Sequence, residues 1–310
     1  VQMLLDRGAY VRIASRDNAS RAHPQAEFIE CNLTYPDICS LVCQGMDIVF
    51  NLLCTKGSPS TCQTNPADYL VPMTLYNTHL MEAARRQNIE SFLFTSSVCV
   101  YPPSEVFYEN DPLERMPSKN DLWAGMAKRV GEIQARAYAI QYGWNNIAVV
   151  RPSNVYGPYD NFNVFNAMVV PSLIRQTAEA KDRIVVWGDG TAERDFIYSD
   201  DVARGMMLAL EKELTPNQPI NLGIGFGIST RTLAETVVRV SGKKLEVVYD
   251  TSKPSGDKKR IMNISRAREV GFSPQVSLEE GLEKTYRWYI DNQEIANNRY
   301  DIFNRPAPKP

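Results

Sequence analysis

The sequence is poor in the residues that build metal sites. It has only two histidines, His23 and His79, in 310 residues. Its six cysteines, Cys31, Cys39, Cys43, Cys54, Cys62 and Cys99, include no C-x-x-C pair. A zinc site needs clustered thiolates and imidazoles, so no metal is expected. Disulfide frameworks belong mostly to small secreted chains, so reduced thiols and a cytosolic (cytoplasmic) setting are expected. No apolar run approaches the roughly 20 residues that cross a bilayer, so no membrane partner is expected. Charge of either sign is not in excess: Lys plus Arg is 34 and Asp plus Glu is 36, a net charge of −2. Sequence-independent nucleic-acid binding needs a surplus of cations, so that partner is not expected either.

What is present is ordinary globular material, 44% hydrophobic and 23% charged, enough to bury a sizeable core. The length suggests two domains of roughly 150 residues. The opening VQMLLDRG reads as the end of a helix stopped by Gly8. Short apolar runs such as IVFNLL, FLF and IAVV follow, as in buried parallel strands. They predict strands at 10–14, 27–30, 47–53, 91–95 and 146–151, separated by helices at 37–43, 66–87 and 122–142. In 66–87, Leu75, His79, Leu80, Ala83 and Ala84 recur at helical spacing. Alternating strands and helices imply an α/β fold with a doubly wound parallel sheet. Beyond residue 151 the pattern loosens into helices near 165–178, 199–212, 229–241 and 278–292, with strands at 183–187 and 245–249. The expected division is 1–151, a smaller α/β lobe over 152–293, and a mobile tail over 294–310.

Five segments carry candidate chemistry. FLFTSSVCVYP, residues 92–102, sets Ser96, Ser97, Cys99 and Tyr101 just after a buried strand. Strand carboxyl ends border the ligand crevice in open α/β sheets, although a plain polar turn would read the same way. WAGMAKRVGE, residues 123–132, puts Lys128 on a helix face with Ala124 and Gly131. A solvated lysine is the plainer reading there. VVRPSNVYGPYDNF, residues 149–162, offers Ser153, Asn154, Tyr156, Tyr159 and Asn161. VVWGDGTAERDFIYSDDVA, residues 185–203, carries Arg194, then Asp200 and Asp201 as helix N-terminal caps. TSKPSGDKKR, residues 251–260, gathers Lys253, Lys258, Lys259 and Arg260. Those cations suit a diphosphate, or simply a solvated basic loop.

In their order and spacing the five segments resemble the extended short-chain dehydrogenase/reductases. More narrowly, they resemble the NAD(P)-dependent nucleotide-sugar epimerases and dehydratases, and among these the GDP-fucose synthase branch. The likeness runs from residue 1 to about 293. It implies a Rossmann domain, here N-terminally truncated, and a C-terminal substrate lobe. It implies a reductase or epimerase acting at C4 of a keto-deoxy sugar, with GDP as the expected nucleotide. On this resemblance Ser97 bonds the reacting sugar oxygen, Lys128 holds the cofactor ribose, and Cys99 is an acid/base in epimerisation. Tyr101, Asn154, Met168, Trp187, Arg194, Lys253 and Arg260 fall on the nucleotide-sugar side. Ser15, Arg16, Asn32, Leu52, Lys128 and Pro152 fall on the cofactor side. The resemblance also implies a homodimer formed through 66–87 and 122–142.

The sequence departs from the family pattern at three points. Ala124 stands where the family has the proton-transferring tyrosine of Tyr-x-x-x-Lys; losing such a group typically costs about 10²–10⁴ in rate. Met168 stands where the branch has a second epimerisation residue, a histidine. The glycine-rich phosphate loop is absent, and is expected just before Val1 with the first strand, in roughly 15–20 further residues. Ala124 and Met168 leave a second reading open, a nucleotide-sugar-binding pseudoenzyme or inactivated variant. Cys99 or Tyr101 would otherwise take over the proton. For the cofactor, Ser15 and Arg16 close the second strand and suit the 2′-phosphate of NADP. Asp17 is the argument for NAD.

Overall fold

A computed structural model describes residues 1–111, 114–253 and 256–304. Residues 305–310 of the expected tail, and Pro254 and Ser255 of the basic loop, lie outside it. The strands are β1 (Arg12–Ser15), β2 (Glu27–Glu30), β3 (Ile48–Asn51), β4 (Ser91–Thr95), β5 (Val106–Phe107), β6 (Ile147–Pro152), β7 (Asn154–Tyr156), β8 (Arg183–Trp187), β9 (Glu193–Arg194), β10 (Phe196–Tyr198), β11 (Ile220–Leu222), β12 (Ile228–Ser229), β13 (Glu246–Asp250) and β14 (Lys259–Met262). The helices are α1 (Gln2–Leu5), α2 (Pro36–Cys43), α3 (Pro59–Thr64), α4 (Pro66–Arg86), α5 (Leu122–Tyr142), α6 (Val169–Glu179), α7 (Ser199–Glu211), α8 (Thr230–Ser241), α9 (Ser265–Glu269), α10 (Leu278–Asp291) and α11 (Gln293–Asn297).

The central sheet is parallel, in the order β11-β6-β4-β3. Side chains alternate faces along a strand, so a doubly covered strand feeds two cores. Phe92 and Phe94 of β4, with Ile147 and Val149 of β6, pack with α2, α4 and α5. Leu93, Ala148 and Val150, one residue out of phase, pack with α7 through Val202, Met206 and Ala209. This is why FLF and IAVV are apolar without a break. β1 and β2 form a separate parallel pair. A third core joins α6, α8 and α10 to the parallel pair β8-β13 through Ile174, Leu233, Leu282 and Ile184.

The long elements lie within a few residues of the expected bounds. The two- and three-residue strands β5, β7, β9, β10, β11 and β12 had no sequence signature, being too short to show a period. α5 ends at Gly143, whose φ of 68° is left-handed and suits glycine. Asp201, expected as a helix cap, does another job: its carboxylate accepts the N–H groups of Gln275 and Val276 at 2.8 and 3.0 Å and pairs with Arg204. The segment expected as a tail has structure of its own, since it contains α11 and then a 3-10 turn at Ile302–Asn304.

Candidate active site at the strand tips

The tips of β3 and β4 and the first turns of α5 meet at one place. Glycine permits the approach. A Cβ on Gly125 would sit 2.2 Å from the Cys99 carbonyl oxygen, and one on Gly131 would sit 2.2 Å from the Phe94 ring. Packed this closely, α5 buries Lys128 to 2% exposure. Its Nζ donates to the carbonyls of Leu53 (2.8 Å) and Thr95 (2.6 Å), leaving one of three donors uncommitted. Lys128 is therefore not a solvated lysine. Burial pushes its pKa down, and the neighbouring Cys54 and Cys99 thiols oppose that.

Ser97 opens the loop after β4, and its Oγ accepts the Cys99 N–H at 3.1 Å. That leaves its own proton for a ligand. Burial pushes the Cys99 thiol well above its ordinary range; Asp121 adds to this and Arg260 opposes it. The thiol is thus a proton donor at neutral pH, not a thiolate. Ala124 packs on the apolar core under α5 and has no proton to offer.

Tyr101 is not at the site. It is 1% exposed, stacked on Phe107 at 4.9 Å, and its hydroxyl donates to Asn221 Oδ1 (2.7 Å) and accepts from Arg151 (2.8 Å). Those partners come from distant strands, so the local motif gave no hint of its burial. The same Arg151 forms a two-pronged ion pair with Glu132, which also accepts from Ser96. Sequence reading missed this pair; its signal was a carboxylate one turn after Lys128 and an arginine ending a buried strand.

On the C-terminal side, Arg194 and Arg260 are register partners on β9 and β14. Arg260 pairs with Asp121 at 2.6 Å and reaches Asp257 at 3.8 Å. Arg194 is pushed down by burial and by the Arg260 charge. Two adjacent guanidinium groups suit a diphosphate. Trp187 is exposed at the end of β8 with the Lys253 ammonium 5.9 Å from its ring centre. Asn154 is half-buried, its amide donating to the Asp195 carbonyl at 2.8 Å. Met168 precedes α6, half-buried.

A cavity of about 200 Å³ opens beside β1, and Ser15, Arg16, Asn32, Leu53 and Cys54 line it. Leu52 is exposed, Pro152 is buried within β6, and neither lines this cavity. Asn32 Oδ1 accepts the N–H and hydroxyl of Thr34, a side-chain turn. Asp17, the argument for NAD, already accepts three hydrogen bonds. Its carboxylate pairs with Arg21 at 2.9 Å and accepts the N–H groups of Asn18 and Tyr300, both at 2.9 Å. The pyrophosphate end of a dinucleotide has no glycine-rich turn in this sequence.

His79 bonds the Thr34 carbonyl and His23 bonds Gln2, both away from the strand tips. Among the described residues no group of three or more His, Cys, Asp or Glu is placed to hold a metal, and no helix is long and apolar enough to cross a membrane.

The GDP-L-fucose synthase of Escherichia coli (strain K12) is 34% identical over 264 residues, 80% of this chain and 82% of that one. That of Sinorhizobium fredii is 36% identical over 241 residues, 76% of each chain. The UDP-glucose 4-epimerase of Thermotoga maritima, solved with UDP-glucose, superposes at a TM-score of 0.81 over 94% of both chains, with 25% identity. Residues 1–223 match the NAD dependent epimerase/dehydratase family, and the chain belongs to it.

Proposed function

We propose that this protein is an NAD(P)-dependent nucleotide-sugar reductase or epimerase acting at C4 of a keto-deoxy sugar, with GDP as the nucleotide and NADP the preferred cofactor. Residues 1–151 hold the dinucleotide and 152–293 mainly the nucleotide sugar, in a cytosolic homodimer. The observation that carries the reading is the meeting of Ser97, Cys99 and Lys128 at the strand tips, with the Arg194–Arg260 pair on the facing lobe. The bound nicotinamide supplies hydride chemistry. Ser97 donates a hydrogen bond from its free hydroxyl to the C4 oxygen. Lys128 places a positive charge beneath the strand tips, which favours a developing oxyanion. Cys99 brings a protonated thiol to the sugar ring. Arg194 and Arg260 fix the diphosphate.

Ala124 favours a second reading, a nucleotide-sugar-binding protein that turns over slowly or not at all. The test is NADPH oxidation against GDP-4-keto-6-deoxymannose. Ala124→Tyr restores a proton donor beside Lys128, and the expected gain in kcat is about 10²–10⁴. Tight sugar binding with no turnover in either form would support the binding protein. The homodimer rests on the exposed apolar residues of α4 and α5, Val71, Leu75 and Ile133. A monomer in sedimentation at micromolar concentration would remove it.

A further inference from the structure

The outer wall of the β1 cavity comes from the far end of the chain. Asn297, Arg299, Tyr300 and Asp301 line it opposite Ser15 and Arg16. This segment is held at several points. The Arg21 guanidinium donates to the Ile295 carbonyl at 2.6 Å, Asn166 donates to the Asp301 carboxylate at 2.7 Å, and the Phe303 ring lies 5.4 Å from that of Tyr69. Tyr300 makes two contacts with the β1 turn. Its N–H occupies the Asp17 carboxylate at 2.9 Å, and its ring lies under the Arg16 guanidinium at 4.6 Å. Arg16 and Arg299 both line the cavity, and among the described residues neither has a carboxylate partner. Of the acids in the cavity wall, Asp17 pairs with Arg21, while Asp301 accepts from Asn166 and from the Phe303 N–H and keeps its charge. Arg16 and Arg299 in one cleft outnumber the one carboxylate there that has no cation partner among the described residues, Asp301, so the cleft favours an anion, and a phosphate matches their planar donors.

We infer that the C-terminal segment completes the cofactor's 2′-phosphate site. Arg299 is the second phosphate-binding guanidinium. Tyr300 sets specificity by seating Arg16 and by removing Asp17 as an acceptor for a ribose diol. This rests on the NADP reading above and adds to it a source of selectivity about 280 residues from the β1 turn.

The test uses the full chain and an adenosine fragment, so it does not depend on turnover. Calorimetric titration compares adenosine 2′,5′-bisphosphate with 5′-AMP. Arg299→Ala is expected to weaken the bisphosphate about tenfold or more while leaving 5′-AMP within about twofold, as loss of one charge-assisted contact implies. Tyr300→Ala is expected to lower the same ratio severalfold, and Tyr300→Phe to keep it. Hydrogen–deuterium exchange over 293–304 is expected to slow with the bisphosphate and not with 5′-AMP. If Arg16→Ala collapses the ratio while the Arg299 and Tyr300 variants leave it intact, the inference fails and the NADP reading stands. If Arg16→Ala also changes nothing, or the parent does not prefer the bisphosphate, both fall together.

Discussion

Two arginine pairs flank the proposed ligand trench, and they are held in opposite ways. Arg194 and Arg260, on the nucleotide-sugar side, lie beside built-in acids, with Asp121 and Asp257 against Arg260. Arg16 and Arg299, on the cofactor side, have no acid partner among the described residues. A paired cation is organised before the ligand arrives, but the ligand must displace or share its partner. An unpaired cation gives its full attraction to the first anion that arrives, and it needs some other support. Tyr300 gives Arg16 that support through its ring. Arg151 marks the extreme of the first kind: its ion pair with Glu132 leaves both side chains 3% exposed, with no opening to a ligand.

That extreme gives the largest expected effect. Glu132→Ala leaves the Arg151 charge buried and unpaired, and breaking such a pair typically costs about 3–5 kcal/mol. Chemical denaturation of the ligand-free protein reads it directly. A loss below about 1 kcal/mol would mean that Arg151 rehydrates easily, and the line between locked and ligand-ready arginines would dissolve. Burial weakens the ionised form of Glu132, yet the Arg151 charge and hydrogen bonds still hold its pKa below the ordinary carboxylate value. The sign for acid follows: this stability is present above the unfolded carboxyl's pKa and is lost as pH falls through the folded one.

The sequence foretold these regions unequally, and the reason is distance along the chain. The alternation in FLF and IAVV depends only on neighbouring residues, so the sheet and its two cores were legible. Ser97, Cys99 and Lys128 could be proposed from the sequence because their spacing is local to one strand and one helix. Tyr101 was misread because its partners, Arg151 and Asn221, are 50 and 120 positions away. The C-terminal segment was misread for a similar reason. NNRYDIFN has no period and little apolar weight, so it looks like a tail; its anchors are single contacts to Arg21, Asn166 and Asp17. Residues whose role comes from one distant partner leave no trace in a window.

The paired end yields a smaller effect. Asp121→Asn removes the acid that competes with a diphosphate for Arg260. GDP affinity is expected to rise about 3–10-fold, because the ligand no longer displaces a charge. Stability is expected to fall by about 1.5–3 kcal/mol, the size of a hydrogen bond to a charged group. Calorimetric titration and denaturation on the same sample separate the two. Weaker GDP binding would show that Asp121 acts as a positioning residue for Arg260, not as a competitor.

The smallest effect lies in the Cys99 thiol, which reports on Asp121 from the other side. Burial holds its pKa well above the ordinary 9.0, Asp121 raises it further, and Arg260 lowers it. Asp121→Asn deletes a raising influence and leaves Arg260 without its nearest acid, so both changes act downward. Iodoacetamide labelling followed across pH is expected to reach Cys99 at lower pH in the variant, with the exposed Cys54 labelled first in both proteins. For the parent, a raised thiol pKa means that stability holds below the unfolded thiol's value and drains away as pH climbs past it. Alkaline unfolding of the parent is therefore expected to begin above about pH 9 and to be blunted in Cys99→Ala, which has no thiol to ionise. An unchanged labelling profile in Asp121→Asn would mean that solvent screens the carboxylate from the thiol. The paired arginine and Cys99 would then be independent parts of the site.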